Sequence, residues 1–188
     1  MPRPTLFYGL LLSLLLLCLQ IIQPLLRFER ELILNGEVWR ILSGHFVHTN
    51  LAHLLLNLSG LWVFLWLCGS YLNLPRLTAT IATLGISISL LLLALHPGLH
   101  WYVGFSGILY GLFLLGGIKL AVADDPLTGL ALIGLLVLKT GLDLYNGNSA
   151  LSESLIDAQV ILPAHLYGLL TGLLLALPDI YHRYRLRM

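Results

Sequence analysis

Hydrophobic residues in this chain form six long runs that are separated by more polar stretches. The runs cover residues 6–26, 51–68, 77–95, 105–122, 127–144 and 161–177. Each is close to the ~20 residues that a helix needs to cross about 30 Å of hydrocarbon. The pattern predicts an all-α membrane protein whose residues 1–188 form a single six-helix domain. The first run is longer than the apolar core of a signal peptide and lacks a small-residue cleavage site, so it is expected to be a retained helix.

Composition agrees with a membrane protein and excludes several functions. Hydrophobic residues make up 58% of the 188 and charged residues 10%, whereas a soluble domain carries about 25% charged residues. A formal net charge of +1 provides no basic surface for nucleic acid. Cys18 and Cys68 both lie inside apolar runs, where they are expected to pack as small hydrophobic side chains rather than to form a disulfide.

The distribution of lysine and arginine predicts the orientation. The two long connections, residues 27–50 and 145–160, fall on one side of the predicted bundle, together with Arg27, Arg30 and Arg40. The opposite side carries more positive charges, namely Arg3, Arg76, Lys119, Arg183, Arg185 and Arg187. Cytoplasmic loops carry the excess of such charges. Both termini are therefore expected in the cytoplasm, and the second, fourth and sixth helices are expected to begin at the outer face.

The candidate chemistry lies at the starts of those three helices. His53 begins the second helix, Ser106 the fourth and His165 the sixth. Polar groups at membrane depth are costly and usually mark function. None of the three was used to derive the orientation, yet all three fall in one outward-facing layer. This placement predicts a serine nucleophile and a histidine base inside the membrane.

Glycines on the fourth and sixth helices favour direct contact between them. Gly107 and Gly111 are four residues apart, as are Gly168 and Gly172, and this spacing lets membrane helices approach closely. Packing along both pairs would bring the serine hydroxyl to the imidazole. The glycines alone fit a purely structural bundle equally well. The histidine on the partner helix favours the catalytic interpretation.

The second helix supplies candidate donors for an oxyanion. His53 and Asn57 are four residues apart and share a helix face, and the Ser106 backbone N–H adds a further donor. Acyl transfer needs a nucleophile, a base and such donors. Asp143, near the outer end of the fifth helix, is the only acidic residue within a predicted span. It is not a convincing third member of a triad, so a Ser–His dyad is predicted. Because His165 must be neutral to accept a proton, activity is expected to fall on acidification.

These residues recur in an order that matches a known family. The segments are Glu37-Val38-Trp39-Arg40, His48, Ala52-His53-Leu54-Leu55-Leu56-Asn57, Gly104-Phe105-Ser106-Gly107 with Tyr110, and Ala164-His165-Leu166-Tyr167-Gly168. Together they resemble the rhomboid intramembrane serine proteases. The resemblance covers the six-helix core.

The resemblance implies a role for each matching residue. Ser106 would be the nucleophile, His165 the general base, and His53 and Asn57 the oxyanion-hole donors. The remaining matches would support the site: the Tyr110 ring by packing against His165, together with Gly104, Gly107 and His48. Trp39-Arg40 would help to fold the first loop, and the loop between the fifth and sixth helices would act as a movable cap.

Within that family, the short chain and the Gly44-His45-Phe46-Val47-His48 stretch resemble the rhombosortase branch. The resemblance implies an enzyme of the bacterial inner membrane whose site faces the periplasm. Its substrates would be exported proteins with a C-terminal Gly-Gly motif, a hydrophobic helix and a basic tail. Either water or an amine could resolve the acyl-enzyme. The alternatives are a rhomboid protease with other substrates and a noncatalytic rhomboid-like binding protein.

Other polar residues have less specific interpretations. His45, His48 and His53 lack the His-Glu-x-x-His pattern of zinc proteases, so no metal or other cofactor is predicted, and His48 is expected to hydrogen-bond loop backbone. Lys139 and Asp143 are four apart on the fifth helix. They are expected to pair, which lowers the cost of burial, and both are candidate contacts for substrate or an amine acceptor. The predicted partners are transmembrane substrates and membrane lipids.

Overall fold

A computed structural model describes residues 1–70, 73–122, 125–147 and 150–185. Arg187, which contributed to the predicted orientation, and part of the connection at 145–160 lie outside these ranges. The described elements are α1 (Arg3–Leu19), a 3₁₀ turn (Gln20–Ile22), α2 (Gln23–Leu26), β1 (Phe28–Glu29), α3 (Arg30–Leu34), α4 (Arg40–Ser43), a second 3₁₀ turn (Gly44–Phe46), α5 (Leu51–Cys68), α6 (Leu74–Leu95), β2 (Trp101–Tyr102), α7 (Ser106–Val122), α8 (Pro126–Asn146), α9 (Ala150–Ile156) and α10 (Leu162–Arg185).

The predicted all-α bundle of apolar helices is confirmed. Among the described residues, five helical stretches are long and apolar enough to cross a membrane: Arg3–Leu26, Leu51–Cys68, Leu74–Leu95, Pro126–Asn146 and Leu162–His182. The sixth apolar helix, α7, is shorter. It lies at the centre of the bundle and packs against α5, α6, α8 and α10. The nucleophile candidate is therefore carried by the most enclosed helix.

Side-chain caps fix the starts of several helices. The Asn50 side chain accepts a hydrogen bond from the backbone N–H of His53 at 2.8 Å, and Asn73 and Asp125 cap α6 and α8 in the same way. Such caps satisfy N–H groups that have no partner within the helix. The bond from Thr128 lowers the pKa of the Asp125 carboxyl. The Asn50 cap places His53 in the first turn of α5.

A two-residue antiparallel ladder joins the first loop to the segment before α7. Phe28 pairs with Tyr102 and Glu29 with Trp101. The Arg30 guanidinium adds bonds to carbonyl oxygens at the C-terminal end of α6, 2.7 Å to Leu93 and 3.2 Å to His96. The sequence did not predict this ladder, because two residues are too few to show the alternation typical of a strand. It anchors the first loop beside the turn that carries Ser106.

Arg40 organises the first loop from inside. It is 4% exposed, and its guanidinium donates to Glu37 at 2.6 Å, to the Pro24 carbonyl at 3.1 Å and to the Arg27 carbonyl at 2.9 Å. A buried charge is tolerated when its hydrogen-bonding groups are satisfied in this way. The loop is thus held by specific contacts to the end of the first membrane helix.

An ion cluster closes the opposite end of the bundle. Lys119, near the end of α7, lies 2.5 Å from Asp179 of α10, and Arg76 at the start of α6 lies 3.8 Å from the same carboxylate. Lys119 is 7% exposed, so loss of one partner would leave a buried charge uncompensated. The cluster fastens together the two helices whose N-terminal ends carry Ser106 and His165.

Candidate active site

The turn before α7 presents Ser106. Gly104 has φ +123°, and a Cβ at this position would lie 2.8 Å from Cε1 of His53. Glycine is the residue that reaches such a conformation without steric cost. The turn can therefore press against the His53 ring and place Ser106 at the first position of the helix.

Ser106 and His165 meet across the interface between α7 and α10. Ser106 Oγ lies 2.9 Å from His165 Nε2. The His165 ring is stacked on the Tyr110 ring, with centroids 4.1 Å apart and an interplanar angle of 9°. His165 is 7% exposed. The arrangement holds an imidazole nitrogen at the distance needed to accept the serine proton.

Glycines allow α7 and α10 to approach closely enough for this contact between Ser106 and His165. A Cβ on Gly168 would collide with the Gly107 carbonyl oxygen, and a Cβ on Gly172 would lie 2.5 Å from the carbonyl oxygen of Gly111. Each glycine pair thus faces backbone of the partner helix, as small residues do where membrane helices pack closely. A side chain at either position would separate the helices that carry the hydroxyl and the imidazole.

The other nitrogen of the His165 ring has no hydrogen-bond partner among the described residues. This Nδ1 atom is buried. Lys139 lines the same cavity as the ring and donates a hydrogen bond to Asp143. In the described part of the chain, no acid holds the imidazole through a hydrogen bond.

His53 and Asn57 lie beside the serine. Thr49 donates to His53 Nδ1 from its backbone N–H at 3.5 Å, and its hydroxyl lies 3.2 Å from the same atom. A ring that accepts the Thr49 N–H bond at Nδ1 carries its proton on Nε2, the nitrogen next to Gly104. The Asn57 amide donates one bond to the His53 carbonyl at 3.1 Å, and an amide NH₂ has a second hydrogen. Both side chains line the cavity at Ser106.

A comparison with protein families identifies the chain. The family model described as "Rhomboid domain" matches residues 35–182, which is most of the sequence. The chain belongs to the rhomboid family. The matched part runs from the first loop to His182 in the last turn of α10 and includes His53, Ser106 and His165. Rhomboid domains are generally intramembrane serine proteases. A search of curated proteins found no match.

The rhomboid has a cavity of about 700 Å³ at the Ser106–His165 pair. Its walls are mostly apolar and come from α5, the segment before α7, α7, α8, the residues after α9 and the start of α10. Among the described residues that line the cavity, Lys139 is the only lysine or arginine. A largely apolar cavity with a few polar groups at one point is typical of a binding site.

His48 differs from its predicted contact. Its ring Nδ1 lies 3.1 Å from Nε2 of Gln20, and its backbone N–H donates to Oε1 of Gln20 at 3.0 Å. The expected bond to loop backbone is wrong, because Gln20 at the end of α1 supplies both a donor and an acceptor. The ring also packs edge-on against His53, with centroids 4.9 Å apart. His48 thus links the first helix of the rhomboid to His53.

The buried loop histidines predict a loss of stability in acid. Burial lowers the pKa of His45 to about 4 and, with the nearby His53, that of His48 to about 3. Below pH 6.5 the unfolded chain binds protons that these folded rings do not, so stability falls as the pH drops from 7 towards 4. Each pKa unit corresponds to about 1.4 kcal/mol. The midpoint of thermal unfolding in detergent should be several degrees lower at pH 5 than at pH 7.5.

A variant connects that loss to the histidines. His48→Gln removes one of the two groups, so its midpoint should change less between pH 7.5 and pH 5 than that of the unmodified protein. Equal changes in both proteins would contradict the assignment.

Several residues at the site were not predicted from the sequence. Thr49 orients His53 as described above, and the hydroxyl of Tyr102 donates to the Gly104 carbonyl at 2.9 Å. His96 Nε2 lies 2.7 Å from the Tyr167 hydroxyl, which joins the C-terminal end of α6 to the first turns of α10. Such contacts link distant segments through single side chains, and neither periodicity nor a motif signals them.

Proposed function

We propose that this rhomboid is an intramembrane serine endopeptidase in which Ser106 is the nucleophile and His165 the general base. The observation that carries the proposal is the 2.9 Å approach of Ser106 Oγ to His165 Nε2, at a cavity between membrane-spanning helices. A purely structural helix bundle would not need a hydroxyl and an imidazole in contact at a cavity.

The reaction follows the general course of acyl transfer. His165 Nε2 accepts the Ser106 proton as Oγ attacks the scissile carbonyl carbon, and a tetrahedral intermediate forms. The C–N bond then breaks as His165 gives the proton to the leaving amine, which leaves an ester on Ser106. Water attacks this ester after losing a proton to His165. The released product has a new carboxyl terminus, and the Ser106 hydroxyl is restored.

Three donors would stabilise the oxyanion of each tetrahedral intermediate. They are the Ser106 backbone N–H at the start of α7, the Nε2–H of His53 and the amide of Asn57. Donors fixed in advance act strongly where water is excluded, and one such donor is worth about 10²–10³ in kcat. Tyr110 would keep the His165 ring in place through the stacked contact, while Gly104 and Gly107 allow the close packing around Ser106.

The level of Ser106 in the predicted orientation suits substrates of the rhombosortase type. In an anchor composed of Gly-Gly, a hydrophobic helix and a basic tail, the tail stays in the cytoplasm. The glycines then lie at the outer end of the anchor helix, the level at which Ser106 lies in the predicted orientation. Glycine costs about 1 kcal/mol in a helix, so this segment unwinds readily and exposes its carbonyls. We propose that the rhomboid cuts such anchors at the outer face of the bacterial inner membrane.

Cleavage assays on two reporters test this function. The purified rhomboid and its Ser106→Ala variant would be incubated with a Gly-Gly anchor reporter and with an ordinary transmembrane helix. Cleavage of the first alone, absent in the variant, supports the rhombosortase assignment. Cleavage of the second as well indicates a broader protease. If neither is cut, the noncatalytic binding alternative replaces the proposal. The mass of the new C-terminus distinguishes water from an amine acceptor.

Lys139 and Asp143 are proposed as substrate contacts. Lys139 lines the cavity, and its Asp143 partner is 5% exposed, so the cation of the pair is the member nearer to a bound substrate. Replacing both at once, as Lys139→Met with Asp143→Asn, avoids leaving one buried charge alone. We expect KM to rise about tenfold, the effect of about 1.4 kcal/mol, with a smaller change in kcat. Lys139→Arg is the control and should stay close to the unmodified enzyme. An unchanged KM in the double variant would exclude the contact.

A further inference from the structure

Tyr102 is a buried polar residue next to the nucleophile. It is 4% exposed, and its hydroxyl donates to the Gly104 carbonyl at 2.9 Å. The Ser106 hydroxyl and the Gly107 backbone are further polar neighbours of this hydroxyl. A Cβ on Gly107 would lie 3.3 Å from the tyrosine oxygen. One phenol group therefore contacts both glycines of the turn that carries the serine.

His45 and Ser89 lie behind the Tyr102 ring. His45 is fully buried, and its ring packs edge-on against Tyr102 with centroids 5.3 Å apart. His45 Nε2 lies 2.9 Å from the hydroxyl of Ser89, on α6. The pairing of Phe28 with Tyr102 holds the tyrosine backbone. Tyr102 is thus fixed by α6, the first loop and β1 together.

Both rings keep the protonation state that this arrangement needs. Burial lowers the pKa of His45 to about 4, so the ring is neutral near pH 7. Burial also raises the pKa of Tyr102. Its hydroxyl therefore keeps its proton and can donate to the Gly104 carbonyl.

The nucleophile turn needs such support. It has glycine at two of its four positions, Gly104 and Gly107, and glycine loses more conformational freedom on ordering than any other residue. The first N–H groups of α7 also have no partner within the helix. Polar contacts from outside the turn must therefore define its geometry.

We propose that Tyr102 is a positioning residue that holds the Gly104–Gly107 turn so that Ser106 Oγ faces His165 Nε2, and that His45 and Ser89 act through Tyr102 by fixing its ring. The proposal rests on the proposed role of Ser106 as nucleophile. Tyr102 does not take part in the proton transfer itself.

Removal of the single hydroxyl tests the role of Tyr102. In Tyr102→Phe the ring packing remains and the bond to Gly104 is lost. We expect kcat on the reporter and the rate of labelling by a fluorophosphonate to fall about tenfold, the effect of one hydrogen bond. KM should stay unchanged, and the lost buried hydrogen bond should lower the thermal midpoint by only a few degrees. Tyr8→Phe is the matched control, because it loses a hydroxyl contact of 3.1 Å to Thr78 on another face of the bundle, and it should behave like the unmodified enzyme.

A double-mutant cycle tests whether Ser89 and His45 act through Tyr102. Ser89→Ala removes the hydrogen-bond partner of His45 with little change in volume, and we expect it to slow labelling about threefold. Combined with Tyr102→Phe it should add nothing, because residues that act as one unit are not additive. Additive effects would show that His45 and Ser89 do not act through the tyrosine.

The outcomes separate this proposal from the proposed function. If the unmodified protein and Tyr8→Phe are not labelled, Ser106 is not the nucleophile and the role of Tyr102 is lost with it. If both are labelled and Tyr102→Phe reacts equally fast, the positioning role alone is wrong. A raised KM in Tyr102→Phe, or a midpoint lowered by more than about 10 °C, which exceeds the effect of one hydrogen bond, would show a general structural role and would also overturn it.

Discussion

Replacing His165 with glutamine is expected to lower the rate of reporter cleavage by about 10³-fold or more. Glutamine has a similar size and keeps a polar end, but its amide cannot accept the Ser106 proton. General-base catalysis by a positioned side chain is worth roughly 10²–10⁴ in rate, and in the proposed mechanism Ser106 and His165 act as one unit. The measurement is kcat/KM on the Gly-Gly reporter in detergent or in reconstituted vesicles.

The same helix offers a control for this substitution. His182 is exposed at the opposite end of α10, and His182→Gln should retain the activity of the unmodified protein. Loss in His165→Gln alone assigns the base. Activity of His165→Gln within tenfold of the unmodified protein would mean that another group accepts the proton.

Gly168→Val is the second substitution with a large expected effect. A Cβ on Gly168 would collide with the Gly107 carbonyl oxygen, and backbone inside a helix cannot move aside locally. The variant must either separate α10 from α7 or fail to assemble. A displacement of about 1 Å at the reacting groups can cost 10²-fold in rate. We expect fluorophosphonate labelling of Ser106 to be slower by at least about 10²-fold. The midpoint of thermal unfolding should also be lower.

Gly134→Val is the matched control for the glycine contact. Gly134 also lies within an apolar helix, α8, but no atom outside its own helix backbone lies within 4 Å of a Cβ there. Both variants place a valine in a helix, so their helix propensities change equally. Gly134→Val should remain active and stable. Similar losses in both variants would mean that the effect does not come from the contact between α7 and α10.

The fold was predictable because its main elements are long. Six apolar runs signal six helices when each must satisfy its backbone hydrogen bonds inside a bilayer. The ends of the helices were harder to predict from the sequence. The sixth run was predicted to end at residue 177, but α10 continues to Arg185 with Pro178 inside it. Hydropathy marks where hydrocarbon ends, and a helix that continues into water leaves no such signal.

The candidate site could be predicted where one helix carries regular spacing. The four-residue interval between His53 and Asn57 and the two glycine pairs follow from helix geometry. The contact of His48 with Gln20 does not, because it joins residues 28 apart through one side chain. The same holds for the packing of His45 against Tyr102. These supporting contacts depend on how the first loop folds against α6 and the segment before α7, and that fold is set by a two-residue ladder.

Labelling of the purified rhomboid with a fluorophosphonate, followed by mass spectrometry of its peptides, tests the central claim most directly. This reagent phosphonylates a serine hydroxyl only where a base and an oxyanion site activate it. The account predicts a single adduct on Ser106, which is absent in Ser106→Ala and strongly reduced in His165→Gln. An unlabelled protein, or an adduct on another residue, would contradict the claim that Ser106 and His165 form the catalytic pair.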